Sequence, residues 1–588
     1  MALAQQSASL ALDGGDPRLN AGDVVPAKNF SRRDVSFEEY MYYAAITRAE
    51  EKVANEKFIQ ARGPRSLKTI VQARFSKGHT GALPATPNES AGEKSENDNT
   101  VTRSVQTRQY VTPEEEKTAS RAVRTAGWGT IFYLITTDIL GPTSAPWAFA
   151  QMGYGPAFAL YTVFGLLSYY SGWVIWKVFL GLDSDRYPLR GYGDFFYRLF
   201  GPPARHFVNV TLSLQLLLVV SVLILLNGQS ISQISRGPVG DRTGLCFVVC
   251  LLIYMVVGFL LGQIRTLQRL GWLANAAVWM TVGMILLCMG TVGYGPNYAA
   301  VEASFGLERA PIRTFAGTPP AGYTSGTGFV ASLNGLNAAV FAYGGCMLFA
   351  ALLAEMRHPM DFWKGLLIAQ IFIYAAYVFF GAFMYSFQGQ FAYNPSQQGI
   401  VLYSAQTAAN ILSILSALIA SVLYSNIGLK VVYIEIFHEL LGFPPLTTRR
   451  GKLWWAFLIP VYWILAFIIA SAVPAFSYVV GLQSALFTLS FTYTLPACVA
   501  LGYWVRKDAM VEGEERFDPS TRTYNYVDRG FARLRRGFMK KPLFNLANII
   551  YILGATVTCG LGCYSAIVSL IDAFARGSAN SLSCVPPL

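Results

Sequence analysis

The residues best placed to do chemistry lie together in Ile135-Thr136-Thr137-Asp138-Ile139-Leu140-Gly141-Pro142-Thr143-Ser144-Ala145-Pro146. A carboxylate, several hydroxyls, a glycine and two prolines sit here inside an apolar run long enough to cross a bilayer. Pro142 and Pro146 lack an N–H, and each ring crowds the carbonyl one turn earlier, so a helix must open. Opened backbone at membrane depth is tolerated only where protein or a polar cavity surrounds it. The pattern predicts an interrupted transmembrane helix whose gap holds a ligand.

A second gap is expected at Phe341-Ala342-Tyr343-Gly344-Gly345. Two adjacent glycines weaken a helix by roughly 2 kcal/mol relative to alanine and free the backbone to leave the right-handed helical region. Close helix packing is the other reading of such a pair. Position favours the gap. Each stretch falls in the first segment of a five-helix set, and because five is odd the two sets run in opposite directions. Corresponding interrupted helices in inverted repeats mark a midplane binding site.

The gap chemistry suits a zwitterion. Unpaired N–H groups near Thr143 and Ser144, after Gly141, and the positive end of the helix dipole stabilise a carboxylate. Carbonyls near Thr137, Phe341 and Ala342 accept from an ammonium group or coordinate a cation. An amino acid is the commonest small molecule that carries both charges. Tyr343 and Phe341, beside Gly344, are expected to shape its side-chain pocket.

These residues need a membrane scaffold, and the composition supplies one. The 588 residues are 53% hydrophobic and 14% charged, against roughly a quarter charged in soluble proteins. Apolar blocks of about 20 residues or more, the length of a spanning helix, recur at about 123–150, 154–180, 206–234, 243–263, 271–293, 330–355, 362–387, 404–434, 454–475, 477–504 and 543–573. The expected fold is an all-α polytopic membrane protein of 11 transmembrane helices. Helices 1 and 6 of a 5+5 inverted repeat are broken, and an eleventh helix follows. Long connections are expected at about 294–329 and, with many basic residues, at 505–542. The net charge of +12 is read as membrane topology, with no call for nucleic acid.

Residues 1–120 read as a cytoplasmic, largely disordered tail, with residues 121–575 as the transport domain and 576–588 as a short non-cytoplasmic tail. Ser36 to Lys57 reads as a helix capped by Ser36, with Glu38 and Glu39 in its first turn and a capping box from Ser36 to Glu39. Residues 63–115 are polar and low in apolar content, as in disordered chains. No basic stretch followed by an apolar core opens the chain, so no cleaved signal peptide is expected. Lys and Arg concentrate in the even-to-odd loops, Arg506 to Lys541 above all, which places the N-terminus in the cytoplasm. The sequons at Asn29 and Asn88 then face the cytosol, that at Asn209 lies in the third segment, and none is expected to be glycosylated. The cysteines fall mostly in apolar segments and show no disulfide framework or metal-ligand spacing. No nucleophile–base set or phosphate loop points to an enzyme.

Taken together, Ile139 to Gly153, then Tyr187-Pro188-Leu189-Arg190-Gly191-Tyr192-Gly193-Asp194 with Phe200-Gly201, then Phe341 to Gly345 and Glu355-Met356-Arg357-His358-Pro359-Met360-Asp361-Phe362, resemble motifs of the amino acid/auxin permease family. This family lies within the amino acid–polyamine–organocation superfamily, and the chain is most similar to fungal neutral amino acid permeases. The resemblance covers about residues 120–575. It implies secondary active transport of amino acids, driven by protons or in some branches by sodium. It also implies a sodium site, where one exists, formed by carbonyls of helix 1 and hydroxyls of helix 8, with Ser421 the best positional match. Asp138 departs from the family, which commonly has an apolar residue there, and a single glycine precedes Pro142 where two are common.

Asp138 is the candidate coupling carboxylate, since a charge at membrane depth costs at least roughly 2.5 kcal/mol and normally has a role. Accepting freed N–H groups at the break is its structural alternative. Glu355, Arg357 and Asp361 are candidates for an intracellular gate of ion pairs, and Lys430 is expected to snorkel. The run Arg529 to Lys541 reads as a surface against anionic inner-leaflet lipid, or as plain positive-inside topology. The function expected is proton-coupled symport of neutral amino acids, with sodium as the other coupling ion and no cofactor or metal. A sensor with a transporter fold, signalling without net transport, is the alternative. The plasma membrane is favoured over the vacuole. The partners expected are the amino acid and lipid, and the sequence does not define an oligomeric state.

Overall fold

The computed structural model describes residues 35–62, 124, 126–237, 244–263, 270–324, 328–444, 448–472, 476–575 and 584. Helices dominate, and a two-stranded hairpin (β1 Phe517–Asp518, β2 Thr523–Tyr524) lies in one loop. Among the described residues, nine helices are long and apolar enough to cross a bilayer. The chain is an integral, multi-pass, all-α membrane protein.

Helix α1 (Phe37–Arg62) precedes the apolar region. Its first turn is capped as the sequence predicts: the Glu39 N–H donates to Ser36 Oγ at 3.2 Å. The helix runs past Lys57 and lies docked on the body of the protein. The stretch expected to be disordered, 63–115, lies outside the described residues.

The first apolar block is interrupted. Helix α2 (Trp128–Ile139) ends where Leu140 turns extended, a 3-10 turn follows at Pro142–Ser144, and α3 (Ala145–Met152) resumes. Pro142 and Pro146 fall in first-turn positions, where a missing N–H costs nothing. Gly153 joins α3 to α4 (Tyr154–Leu182) at φ +80°. A Cβ there would lie 1.9 Å from the Gly317 carbonyl oxygen, so only glycine fits. Helices α5 (Tyr192–Phe200), α6 (Pro202–Arg236), α7 (Phe247–Gly262) and α8 (Leu270–Thr291) follow. The loop after them carries α9 (Tyr298–Phe305) and folds back over the end of α3: Tyr154 and Gly155 donate to the carbonyls of Phe315 and Ala316.

The second interrupted block is α10 (Gly328–Phe341), a turn through Gly344 and Gly345, a 3-10 turn at Cys346–Leu348, and α11 (Phe349–Glu355). Then come α12 (Phe362–Gln388), α13 (Tyr403–Val432), which continues as a π-helical turn, α14 (Arg449–Ala472), α15 (Phe476–Gln483), and α16 (Leu495–Asp508) beyond two π-helical turns. Helix α17 (Phe531–Lys540) and the long α18 (Pro542–Ala575) close the chain.

Contacts sort the helices into two groups. Helices α2, α3, α4, α10, α11 and α12 pack on one another, as do α6, α7, α8, α13 and α14; α2 meets the second group at α8. Helix α18 is stapled to α10 by polar groups, with Asn334 donating to Ser569 Oγ at 2.8 Å and Asn337 to the Gly562 carbonyl at 3.0 Å.

Two expectations need correction. Cys246, before α7, and Cys584, in the C-terminal tail, form a disulfide; their separation of 338 residues leaves no local spacing from which a pair could be read. Lys430 is buried, with Glu355 among the charges that act on it, so its ammonium does not reach out to solvent.

Candidate substrate site at two interrupted helices

The two breaks face each other. Gly345 lies against α2: an added Cβ would sit 2.4 Å from Asp138 Oδ2 and 2.6 Å from Ile139 Cγ1. Gly344 is as tight on its other side, where a Cβ would lie 2.2 Å from Thr488 Cγ2. Both sequence readings of this glycine pair therefore hold, since the helix breaks here and two segments approach closely.

Asp138 caps no N–H group of the break. Its Oδ1 accepts from Tyr424 Oη at 2.6 Å, and the same hydroxyl lies 3.1 Å from the Asp138 carbonyl. Its Oδ2 is buried without a protein partner, beside Gly345. Asp138 belongs to the first helix group and Tyr424, on α13, to the second, so this hydrogen bond crosses between the groups.

The freed backbone finds another tyrosine. Tyr377 Oη, from α12, donates to the Ile139 carbonyl at 2.9 Å and accepts from the Gly141 N–H at 3.1 Å. One hydroxyl thus bridges both sides of the gap. Gly141 itself is exposed, and a Cβ there would meet no atom within 4 Å, so the gap opens onto free space at this point. Thr143 and Ser144 flank it, half-buried, and no side chain caps the turn or the helix that follows. Thr137 is engaged elsewhere, with Oγ1 at 2.8 Å from the carbonyls of both Tyr133 and Ala274.

On the second break, Ala342 and Tyr343 are buried and Phe341 is half-buried. The Tyr343 ring meets Tyr161 of α4 and Tyr377, with centroids at 6.2 and 5.8 Å. The hydroxyls of Tyr343 and Tyr161 and the indole N–H of Trp147 are buried without protein partners. A buried polar atom left unpaired costs about 1–3 kcal/mol, so these atoms, with Asp138 Oδ2, are natural contacts for a polar ligand.

The remaining candidates lie apart from this cluster. Ser421 is one turn before Tyr424, and its hydroxyl is engaged by the Ala417 carbonyl and by Tyr254 Oη. Of the three gate candidates, Asp361 pairs locally, with His358 at 3.0 Å and Lys364 at 2.7 Å. Glu355 faces the charge of Lys430, and the backbones of Glu355 and Arg357 are both engaged. Ala126 donates to the Glu355 carbonyl at 3.1 Å, and Arg357 donates to the Ala126 carbonyl at 3.0 Å, a one-residue parallel bridge between the ends of α2 and α11.

Tyr377 and Tyr424 escaped the sequence reading. Each is one of several tyrosines in its apolar span, and the only signal was that a hydroxyl at membrane depth requires a partner.

The comparisons with known proteins agree with this architecture. A Neurospora crassa protein described as an N amino acid transport system protein is 24% identical over 471 residues, covering 78% of this chain and 88% of that protein. Proteins of Gibberella moniliformis and Fusarium pseudograminearum described as transmembrane transporters are 25% and 23% identical over 283 residues, each alignment covering 48% of this chain and 56% of the relative. A sequence model of the transmembrane amino acid transporter protein family matches residues 124–511, and on that match the chain belongs to this family.

Proposed function

We propose that the protein is a secondary active transporter that carries neutral amino acids by proton-coupled symport and alternating access. The observation that carries this reading is Asp138: a carboxylate with one oxygen held by Tyr424 and the other unpartnered, set between two facing helix breaks. The uncapped start of α3 receives the substrate carboxylate, and the carbonyls around the second break receive the ammonium group. The tyrosine cluster of Tyr161, Tyr343 and Tyr377 walls the side chain with aromatic surface, which favours an uncharged one.

Asp138 then couples the proton. Ionised, it accepts the Tyr424 hydrogen bond and ties the first helix group to the second. Protonated on Oδ2, it gains a donor directed at the break and loses the charge that strengthened the Tyr424 bond. The two groups part more easily in that form. Protons are favoured over sodium, because the Ser421 hydroxyl is already engaged.

The wider architecture supports eleven crossings, a 5+5 inverted repeat followed by an eleventh helix. The interrupted α2–α3 pair and the short α7 add to the nine long spans. The first helix group draws on the opening two segments of each five-helix set. A cytoplasmic N-terminus is supported by the basic loops and by the disulfide: Cys246 and Cys584 both fall on the non-cytoplasmic side in this orientation, where disulfides persist. Plasma membrane residence is the reading we favour.

The test is uptake of a panel of radiolabelled amino acids into proteoliposomes, with and without a pH gradient. Neutral amino acids accumulate with the gradient, and Asp138→Asn abolishes that response while retaining counterflow. Gradient-driven accumulation by Asp138→Asn at the wild-type level would refute the coupling role. Binding without counterflow in the wild type would refute transport itself.

A further inference from the structure

Helix α1 has no part in the site, yet it buries charge. Glu38 and Glu39 are 6% and 1% exposed, and Asp183, just beyond α4, is 0% exposed. A helix that merely covered a surface would turn such groups to water, because a buried carboxylate is costly unless paired. Each of these has a partner on another element.

At one end of α1, Glu38 accepts from Arg533 at 3.2 Å and Tyr526 at 3.1 Å. Glu39 accepts from Tyr187 at 2.6 Å and pairs with Arg522 at 3.1 Å. At the other end, Arg48 pairs with Asp183 at 2.8 Å and Glu51 at 2.9 Å. The same two carboxylates hold Arg124, at 3.1 Å from Asp183 and 3.2 Å from Glu51. Burial works against the charge of Asp183, but Arg124, Arg48 and the Leu189 N–H outweigh it and hold its carboxyl below the usual range.

Arg124 stands two residues before Ala126, the residue that bridges the ends of α2 and α11. The α1 network therefore grips the first interrupted helix at the point where it is zipped to the second. A motion that carries the start of α2 away from α11 also pulls Arg124 from Asp183 and Glu51. Buried ion pairs add little net stability, yet losing one partner is severe. Such a network suits a docking that is specific and reversible. The apolar part of the contact is aromatic: Phe37 packs on Tyr503, Tyr40 on Tyr187, and Tyr42 and Tyr43 on Phe517.

We propose that α1 is a latch: docked, it holds the inner ends of the two interrupted helices together through Arg124, and it must release before the substrate can leave on that side. Its docking surface is formed by Asp183, Tyr187, Arg522 and Arg533, and its occupant is residues 37–62 of the same chain. This rests on the transport reading above.

The test uses the full chain in proteoliposomes, with radiolabelled L-alanine as the first probe and then the best substrate of the uptake panel. Thr47 and Asp185 touch across the interface, the Asp185 N–H donating to Thr47 Oγ1 at 3.2 Å. Thr47→Cys with Asp185→Cys, joined by a short thiol cross-linker, is expected to cut uptake at least tenfold while substrate binding persists. Arg48→Ala is expected to speed exchange severalfold. Wild-type uptake by the cross-linked protein would overturn the proposal, as would loss of binding together with uptake, which marks a folding brace. Absence of transport before and after cross-linking would refute the transport reading instead.

Discussion

Two glycines at the breaks make opposite predictions when each gains a methyl group. In Gly345→Ala the new Cβ lies 2.4 Å from Asp138 Oδ2, 2.6 Å from Ile139 Cγ1 and 2.9 Å from Ile139 Cδ1. Non-bonded carbon atoms prefer about 3.5–4.0 Å, so the Asp138 and Ile139 side chains, or the helices that carry them, must give way by about 1 Å. Overpacking a filled interior costs about 1–3 kcal/mol. If that strain falls on the closed arrangement that transport must pass through, at about 1.4 kcal/mol per tenfold, uptake drops about 5- to 150-fold. In Gly141→Ala the new Cβ meets nothing within 4 Å, and φ is −146°, so the backbone accepts alanine. Thermal stability stays at the wild-type level. The methyl group instead occupies the space assigned to the substrate carboxylate. Losing one charge-assisted hydrogen bond, about 1.5–3 kcal/mol, raises KM about 10- to 150-fold. Initial-rate uptake in proteoliposomes, beside thermal unfolding followed by tryptophan fluorescence, separates the two effects. Wild-type uptake and stability in Gly345→Ala would refute the close apposition of the breaks. An unchanged KM in Gly141→Ala would refute the placement of the carboxylate.

Tyr377→Phe removes one hydroxyl and strands both the Ile139 carbonyl and the Gly141 N–H; a stability loss of about 1–3 kcal/mol and a raised KM are expected from thermal unfolding and uptake. Burial lifts Glu51 from the ordinary 4.5 to about 7, against the pull of Arg48 and Arg124 and with Asp183 and Asp185 adding to the rise. The docked helix then holds a proton that the released helix gives up, so docking is strongest below pH 4.5, weakens by up to about 3 kcal/mol as pH rises to about 7, and levels off above. Spin labels at Lys52 and Arg535 are expected to give one narrow distance at pH 5.5 and a broadened one at pH 7.5, and Glu51→Gln to keep the narrow distance at both. Cys246 and Cys584 are expected to react with a membrane-impermeant maleimide on intact cells only after reduction; labelling that also requires permeabilisation would invert the orientation.

The first interrupted helix was legible because its cause is local: Pro142 and Pro146 disrupt the hydrogen-bond ladder wherever the segment sits. The second was only half legible. Gly344 and Gly345 permit a break, but what requires them is the approach of Asp138, Ile139 and Thr488, segments far away in sequence. The tyrosines that serve the first break were hidden for the same reason, since Tyr377 and Tyr424 are ordinary aromatic residues until their hydroxyls meet the Asp138–Gly141 backbone. Helix α1 was read correctly as a helix from Ser36 and its first-turn acids, whereas the pairing of its charges with other elements went unread. Their partners Arg124, Asp183, Arg522 and Arg533 lie up to several hundred residues on, and periodicity carries no record of them.

The two interrupted helices also touch on both sides of the breaks. A Cβ at Gly335 on α10 would lie 2.6 Å from Met152 Cγ and 3.2 Å from the Ala148 carbonyl oxygen on α3. At mid-height Gly345 meets Asp138, and at the far end Ala126 is bonded to Glu355 and Arg357. Contact at three heights ties the two interrupted helices together along their length. The contact at Gly335 rests on van der Waals packing against Met152 and Ala148, which parts at little cost in unpaired polar groups. The contact at Ala126 carries two backbone hydrogen bonds and, through Arg124, the charges of α1. The two ends are therefore unequal, and in the transport cycle proposed above the ion pairs of α1 favour opening at the Gly335 end first.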